Sequence, residues 1–217
     1  MDIWKYYDGD LKYPDIIDYF YDTNHGKQLS IHNAKIAYEF ASTNGKFIEG
    51  EPIIAKSPYY SYEYARNILK WKPFPLGEPA IATIAEYAYS YSEFILKGPF
   101  PLGEPAIAKD SYYSYSYARH ILKKPFKLGE PAIAKDAQYS HLYALHVLNG
   151  PFKLGEPAIA KDAWYSYMYA RFALKGKPFP LGEPVISKDE TYSKKYTKEV
   201  LKKDFILDGK LICKYEG

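Results

Sequence analysis

Tyrosine and arginine recur at matching positions of this 217-residue chain, which contains 25 Tyr. One series, with steps of 26 or 27 residues, consists of Tyr62, Tyr89, Tyr115, His141, Tyr167 and Lys194. Four residues after each member comes a second series, Arg66, Glu93, Arg119, Leu145, Arg171 and Lys198. Residues four apart share one face of a helix, where an arginine over an exposed tyrosine ring gains about 0.5 to 1 kcal/mol of cation-π attraction.

These two series form a candidate recognition surface, because Tyr and Arg are enriched at the energetic centres of protein interfaces. Their positions vary between repeats or are predicted to face outward. We therefore predict a partner-binding ladder made of Tyr62, Arg66, Tyr89, Tyr115, Arg119, His141, Tyr167 and Arg171. The alternative is that the same side chains stack between neighbouring repeats and bind no ligand.

A lysine series offers a second chemistry and consists of Lys56, Lys109, Lys135, Lys161 and Lys188. Such a row could follow the phosphates of a nucleic acid while interleaved aromatic side chains stack on its bases. Lysine near the end of a helix also complements the helix dipole, which alone is a sufficient reason for the series. A glutamate series of similar frequency opposes its charge: Glu51, Glu78, Glu104, Glu130, Glu156 and Glu183.

Catalytic and metal-binding patterns are weak. The recurring Asp110, Asp136, Asp162 and Asp189 each precede a predicted helix, where Asp is a preferred N-cap. The five histidines form no metal-binding HExxH spacing, although His120 and His146 occupy the same column in adjacent repeats and could share a ligand. We expect a protein that is not an enzyme and uses no metal or cofactor.

Composition narrows the class further. Hydrophobic residues at 47% and charged residues at 25% are typical of a folded domain, and a net charge of +3 is small for a dedicated duplex-DNA binder. The single Cys213 excludes an intramolecular disulfide and a cysteine-based zinc site. The chain has no secretory leader pattern and no run of 18 apolar residues, so we expect an intracellular, cytoplasmic protein that does not bind membranes.

A tandem repeat determines which elements position these residues. The nonapeptide Leu-Gly-Glu-Pro-Ala-Ile-Ala-Lys-Asp occurs unbroken at residues 102–110, 128–136 and 154–162. Its Gly-Glu-Pro triplets, including looser copies, begin at Gly50, Gly77, Gly103, Gly129, Gly155 and Gly182. A period of this size predicts a stacked architecture, in which each unit buries its apolar face against its neighbours.

Each repeat is predicted to contain two helices. In residues 103–128, Pro105 favours a short first helix over residues 104–109, and Asp110 caps a second helix that runs over residues 111–123. Helical spacing assigns the core face to Ser114, Tyr117, Ala118, Ile121 and Leu122.

The predicted fold class is all-α, an α-solenoid of helix-pair repeats of 26 or 27 residues with terminal caps. Residues 50–207 form six repeats, residues 1–49 an N-terminal cap with one degenerate repeat, and residues 208–217 a C-terminal half-repeat cap.

The unit Gly-Glu-Pro-x-Ile-Ala-Lys-Asp-x-x-Tyr-x-Tyr-x-Tyr-Ala-x-x-Ile-Leu-Lys-x-Pro-Phe resembles tandem helical repeats in proteins encoded by large bacteriophages and related viruses, over residues 50–207. The resemblance implies a viral origin, in a host-cell cytoplasm, and brings no catalytic motif. We expect a non-catalytic scaffold for a protein partner, of unknown oligomeric state. The alternatives are a nucleic-acid or nucleotide-binding protein that uses the Tyr, Arg and Lys series, or a self-assembling structural viral protein.

Overall fold

The computed structural model describes residues 33–217, and within them the predicted fold class is confirmed. The chain forms two compact units, one that ends at Leu96 and one from Lys97 to Gly217, and each is an α-solenoid of stacked helix pairs. The cap predicted for residues 1–26 lies outside the described residues. We number the repeats 1 to 6 from the Gly-Glu-Pro triplets.

The first helix of each repeat is one short turn that begins at the Glu-Pro dipeptide, as the proline predicts. It follows directly on a glycine with right-handed backbone angles, such as Gly103. These helices are Glu51–Ile54, Glu78–Ile81, Glu104–Ile107, Glu130–Ile133, Glu156–Ile159 and Glu183–Ile186.

The second helix begins as an α-helix and ends as a π-helix in every repeat, whereas the sequence predicted an uninterrupted α-helix. The α segments are Pro58–Glu63, Ala85–Ser90, Ser111–Ser116, Ala137–Tyr143, Ala163–Met168 and Glu190–Tyr196. The π segments are Tyr64–Ile68, Tyr91–Leu96, Tyr117–Leu122, Ala144–Leu148, Tyr169–Ala173 and Thr197–Leu201. Because the wider turn recurs six times, it belongs to the repeat and does not mark one special site.

Capping by aspartate is confirmed in repeats 3 to 6. The Asp110 carboxylate accepts a hydrogen bond from the Tyr113 backbone N–H at 2.9 Å. Asp136, Asp162 and Asp189 do the same in their repeats, also at 2.9 Å. These carboxylates are thereby explained as structural groups.

The repeat pattern changes at both ends of the described residues. Helix Ala34–Asn44 buries Ala37, Phe40 and Ala41, so it corresponds to the second helix of the degenerate N-terminal repeat. At the other end, Phe205–Leu207 and Lys210–Cys213 form an antiparallel hairpin. Asp208 and Gly209 replace the Gly-Glu-Pro of a further repeat, and their positive φ angles of 48° and 75° form the two-residue turn that favours strands.

Candidate functional site

One tyrosine in each repeat lies at the centre of a recurring hydrogen-bond network. In repeat 4, the Tyr143 hydroxyl accepts a hydrogen bond from the Phe126 backbone N–H and donates one to the Glu130 carboxylate, each at 2.9 Å. The arrangement recurs in all six repeats, around Tyr64, Tyr91, Tyr117, Tyr143, Tyr169 and Tyr196. We call these residues the central tyrosines.

The network gives the glutamate series a structural role. Burial raises the pKa of five central tyrosines well above its usual value, so their hydroxyls stay protonated and donate to the carboxylates; these are Tyr64, Tyr91, Tyr143, Tyr169 and Tyr196. The glutamates are only half-exposed at this contact. These glutamates therefore act mainly as hydrogen-bond acceptors within the protein.

The tyrosines of the predicted ladder are buried, and the expectation that they face outward is wrong. Tyr62, Tyr89, Tyr115, His141 and Tyr167 are between 2% and 8% exposed. Four of these rings, those of Tyr62, Tyr115, His141 and Tyr167, pack on a tyrosine of the next repeat. The ring centroids are 6.0 Å apart for Tyr115 and Tyr139, and 6.1 Å apart for Tyr167 and Tyr192. The next second helix covers this side, as the alternative of stacking between repeats supposes.

The predicted pairing of Tyr with Arg four residues later is confirmed in repeats 3 and 5. The Arg119 guanidinium lies 5.8 Å from the centroid of the Tyr115 ring and donates a hydrogen bond to its hydroxyl. Arg171 lies 6.0 Å from the centroid of the Tyr167 ring and donates to its hydroxyl at 2.6 Å.

Arg66 is placed differently. Its guanidinium lies 5.4 Å from the centroid of the Trp71 ring and contacts Glu63 at 3.3 Å. All three arginines are exposed, so these are the ladder members that remain open to a partner. Whether they bind one stays a prediction.

Three exposed aromatic residues lie on the same second helices as these arginines, and the sequence did not lead us to predict them. Tyr59, Tyr112 and Trp164 are 47%, 46% and 39% exposed. Each lies seven residues before the arginine of its own repeat, on the same helix face.

These aromatic residues occur in the odd repeats only. The even repeats carry Glu86, Gln138 and Thr191 at the corresponding position. This alternation was the signal in the sequence that could have revealed them. We call Tyr112, Arg119, Trp164 and Arg171, which all belong to the second unit, the odd-repeat face; Tyr59 and Arg66 occupy the corresponding positions in the first unit.

The lysine series is exposed throughout. None of its five ammonium groups forms an ion pair within residues 33–217. In repeats 3 to 6, however, each of these lysines is followed directly by the capping aspartate, for example Lys109 by Asp110. The carboxylate therefore offsets the positive charge at this end of the helix pair.

The histidines do not assemble a metal site in the part of the chain that the structure describes. No group of three His, Cys, Asp or Glu side chains there is arranged to hold an ion, and His120 and His146 are exposed. His141 is 4% exposed, and its Nδ1 has no hydrogen-bond partner among residues 33–217. Burial, with a smaller effect of His146, lowers the pKa of His141 to about 4, so this side chain is a neutral core residue.

Comparison with known proteins finds no matching family model, no similar curated protein and no similar solved structure. Among residues 33–217, no helix combines the length and apolar character needed to span a bilayer.

Proposed function

We propose that this protein is a non-catalytic repeat scaffold that binds a protein partner through the odd-repeat face. The observation that supports this proposal is the alternation of exposure. Odd repeats present a large aromatic side chain and an arginine, while even repeats present Glu, Gln or Thr at the aromatic position. Each of these aromatic rings also packs on a tyrosine of the next repeat, at centroid distances of 5.6 to 6.1 Å, so stacking inside the solenoid accounts for part of the difference. The exposed fraction of 39% to 47% is the part of each ring that a partner can contact.

The exposed residues have the physical properties of interface anchors. Trp, Tyr and Arg are the residue types whose truncation costs most at protein interfaces. The Trp164 ring packs against the stacked pair Tyr167 and Tyr192, with centroid distances of 6.4 and 5.6 Å. Arg119 and Arg171 are held by tyrosine hydroxyls, and Arg171 also forms an ion pair with Glu199. Side chains that are already ordered lose less entropy on binding.

A capture experiment with matched variants tests the proposal. The tagged full chain is used to capture partners from lysate of infected or host cells, after nuclease treatment. We expect a discrete partner whose capture is lost in the double variant Tyr112→Ala and Trp164→Ala. The control pair Gln138→Ala and Thr191→Ala changes the same position in the even repeats and should capture as well as the unchanged chain. Equal capture by both double variants would contradict the proposal.

Nucleic-acid binding is the second candidate, favoured by the exposed lysine series without ion pairs. It requires capture that disappears after nuclease treatment and falls steeply with salt, because phosphate binding releases counterions. The adjacent capping aspartates oppose it. The viral origin and host-cytoplasm location remain expectations from the sequence resemblance.

A further inference from the structure

The charge of the chain is divided unevenly between its two units. The second unit contains 20 Lys and Arg against 13 Asp and Glu, whereas the sequence up to Leu96 contains nine against 13. Eight of the acidic residues in the second unit are helix caps or acceptors for central tyrosines. Six lysines lie beside these carboxylates: four directly precede the capping aspartates, and Lys127 and Lys153 pair with Glu130 and Glu156. The excess of positive charge is therefore carried by the other lysines and arginines of this unit.

Much of this excess lies in the turns that follow the second helices, which we call the basic edge. It consists of Lys123, Lys124, Lys175, Lys177, Lys202 and Lys203. All six side chains are exposed, and none forms an ion pair within the described residues. No capping carboxylate stands beside these lysines as it does beside Lys109, and only Lys203 has an acidic neighbour in sequence, Asp204.

Backbone conformation gives no reason for lysine at the start of these turns. Lys123, Lys175 and Lys202 have φ angles of 51°, 57° and 54°, in the left-handed region that favours glycine or asparagine. Asn149 occupies the same place in repeat 4, with φ 50°. Lysine there complements the helix dipole, but that does not explain the second lysine of each turn. The paired charges point to an anionic ligand.

The spacing of the charges distinguishes between anionic ligands. Within the second unit, lysine pairs follow repeats 3, 5 and 6, but repeat 4 has the uncharged Asn149 and Gly150. With layers roughly 8 to 10 Å apart, the positive clusters of repeats 3 and 5 are separated by a neutral layer. A nucleic-acid duplex carries a charge about every 1.7 Å along its axis and favours a continuous row. Discrete clusters fit the uneven acidic groups of a polypeptide better.

We propose that the basic edge, together with Arg119 on the second helix of repeat 3, binds an acidic polypeptide segment of the partner. This inference rests on the proposed function and names the chemistry of the partner. The odd-repeat aromatic residues supply apolar anchors, while the lysine pairs at the far end of the same helices attract the carboxylates. Complementary charge of this kind accelerates association and sets the register.

Two variants with equal charge change test the proposal. The edge variant carries Lys123→Gln, Lys124→Gln, Lys175→Gln and Lys177→Gln. The control variant carries Lys109→Gln, Lys135→Gln, Lys161→Gln and Lys188→Gln. Binding of the full chain to labelled poly-L-glutamate is measured by fluorescence anisotropy, with oligothymidylate of matched charge as the comparison. We expect the edge variant to bind poly-L-glutamate roughly tenfold more weakly and the control to change less than about twofold.

Three results would overturn the inference. Absence of poly-L-glutamate binding by the unchanged chain would do so, and so would equal losses in the two variants, because net charge alone would then explain the binding. Tighter binding of oligothymidylate that is lost in the edge variant would assign the edge to nucleic acid.

Partner capture separates this inference from the proposed function. If the edge variant still captures the partner that Tyr112→Ala with Trp164→Ala loses, the odd-repeat face stands and the acidic-segment inference fails. If edge binding to poly-L-glutamate is specific but the aromatic variant captures normally, the odd-repeat face fails instead.

Discussion

A single hydroxyl in each repeat joins three segments of the chain. The central tyrosine comes from the second helix, the glutamate carboxylate from the start of the first helix, and the phenylalanine N–H from the turn before that helix. The Phe126 side chain is buried as well, and its ring centroid lies 5.2 Å from that of Tyr117, the central tyrosine of the preceding repeat. This explains why Phe, Gly-Glu-Pro and the central tyrosine recur together.

Removal of one central hydroxyl should destabilise the protein. Tyr143→Phe leaves the buried Phe126 N–H and the Glu130 carboxylate without their shared partner. An unsatisfied buried polar group costs about 1 to 3 kcal/mol, and we expect a loss in that range in urea unfolding. Tyr112→Phe, at an exposed ring, is the matched control and should stay within about 0.5 kcal/mol. A loss of similar size in both variants would refute the structural role of the hydroxyl.

His141 should make stability depend on pH. Its folded pKa of about 4 lies below the ordinary value of about 6.5, so the unfolded chain takes up a proton first as the pH falls. The resulting loss of folding free energy is absent above about pH 6.5 and grows as the pH falls toward 4, to on the order of 3 kcal/mol.

Replacement by a residue that does not titrate tests this linkage. His141→Phe should lose less stability than the unchanged chain between pH 7 and pH 4.5, measured by thermal unfolding. His120→Phe, at an exposed histidine, should follow the unchanged chain. Parallel profiles for His141→Phe and the unchanged chain would mean that His141 is not the titrating group.

At the scale of elements, the repeats approach each other most closely at the glycine of Gly-Glu-Pro. A Cβ atom on Gly155 would lie 2.5 Å from the Ser140 hydroxyl oxygen and 2.5 Å from the Phe152 ring. The φ angle of Gly155 is −87°, so the backbone itself would accept another residue. The glycine is therefore required by packing between consecutive repeats.

Gly155→Ala should consequently be strongly destabilising. Overpacking of a core typically costs about 1 to 3 kcal/mol, and we expect a loss at the upper end of this range because both contacts are with buried groups. Gly150→Ala is the control, since the nearest atom to its added Cβ would be 3.8 Å away. Thermal and urea unfolding of the two variants give the comparison. A near-neutral Gly155→Ala would show that the repeats are packed more loosely than described.

The sequence predicted the elements well because their signals are local. Proline at a helix start, aspartate at an N-cap and the buried Ser114, Tyr117 and Ala118 all follow from neighbouring residues. The π-helical ending was not predicted, since a helical wheel of constant pitch cannot represent a wider turn. Ile121 and Leu122, which lie in that ending, are accordingly half-buried instead of fully buried.

The site was predicted less well because burial in a solenoid is determined by the neighbouring repeat. A single helical stripe assigns Tyr115 to the outside, but a second helix has neighbours on both sides, and Tyr139 of the next repeat covers Tyr115. The pairing with Arg119 depends only on the spacing within one helix, and it was predicted correctly.

At the scale of the whole molecule, the interfaces between consecutive repeats are nearly interchangeable within the second unit. A Cβ atom added to Gly129 would meet Phe126 and Ser114, and one added to Gly155 would meet Phe152 and Ser140. The corresponding distances from the added atom agree within about 0.1 Å. Central tyrosines join the same three segments at each step. Repeats of this kind contribute to stability as nearest-neighbour terms, so any one of them should be removable if the register is kept.

Deletion of residues 129–154, which is the whole of repeat 4, should therefore give a folded protein. Gly155 would then follow Leu128 and meet Phe126 and Ser114, the same residue types that it meets now. We expect an unchanged circular dichroism signal per residue and a somewhat lower melting temperature, because one stabilising interface is lost. Deletion of residues 129–150 is the control, since it removes the same helices but leaves a second Pro-Phe-Lys-Leu in the turn and breaks the spacing between phenylalanine and central tyrosine. If the in-register deletion unfolds as readily as the control, the interfaces are not equivalent, and the stability of the second unit depends on features specific to repeat 4.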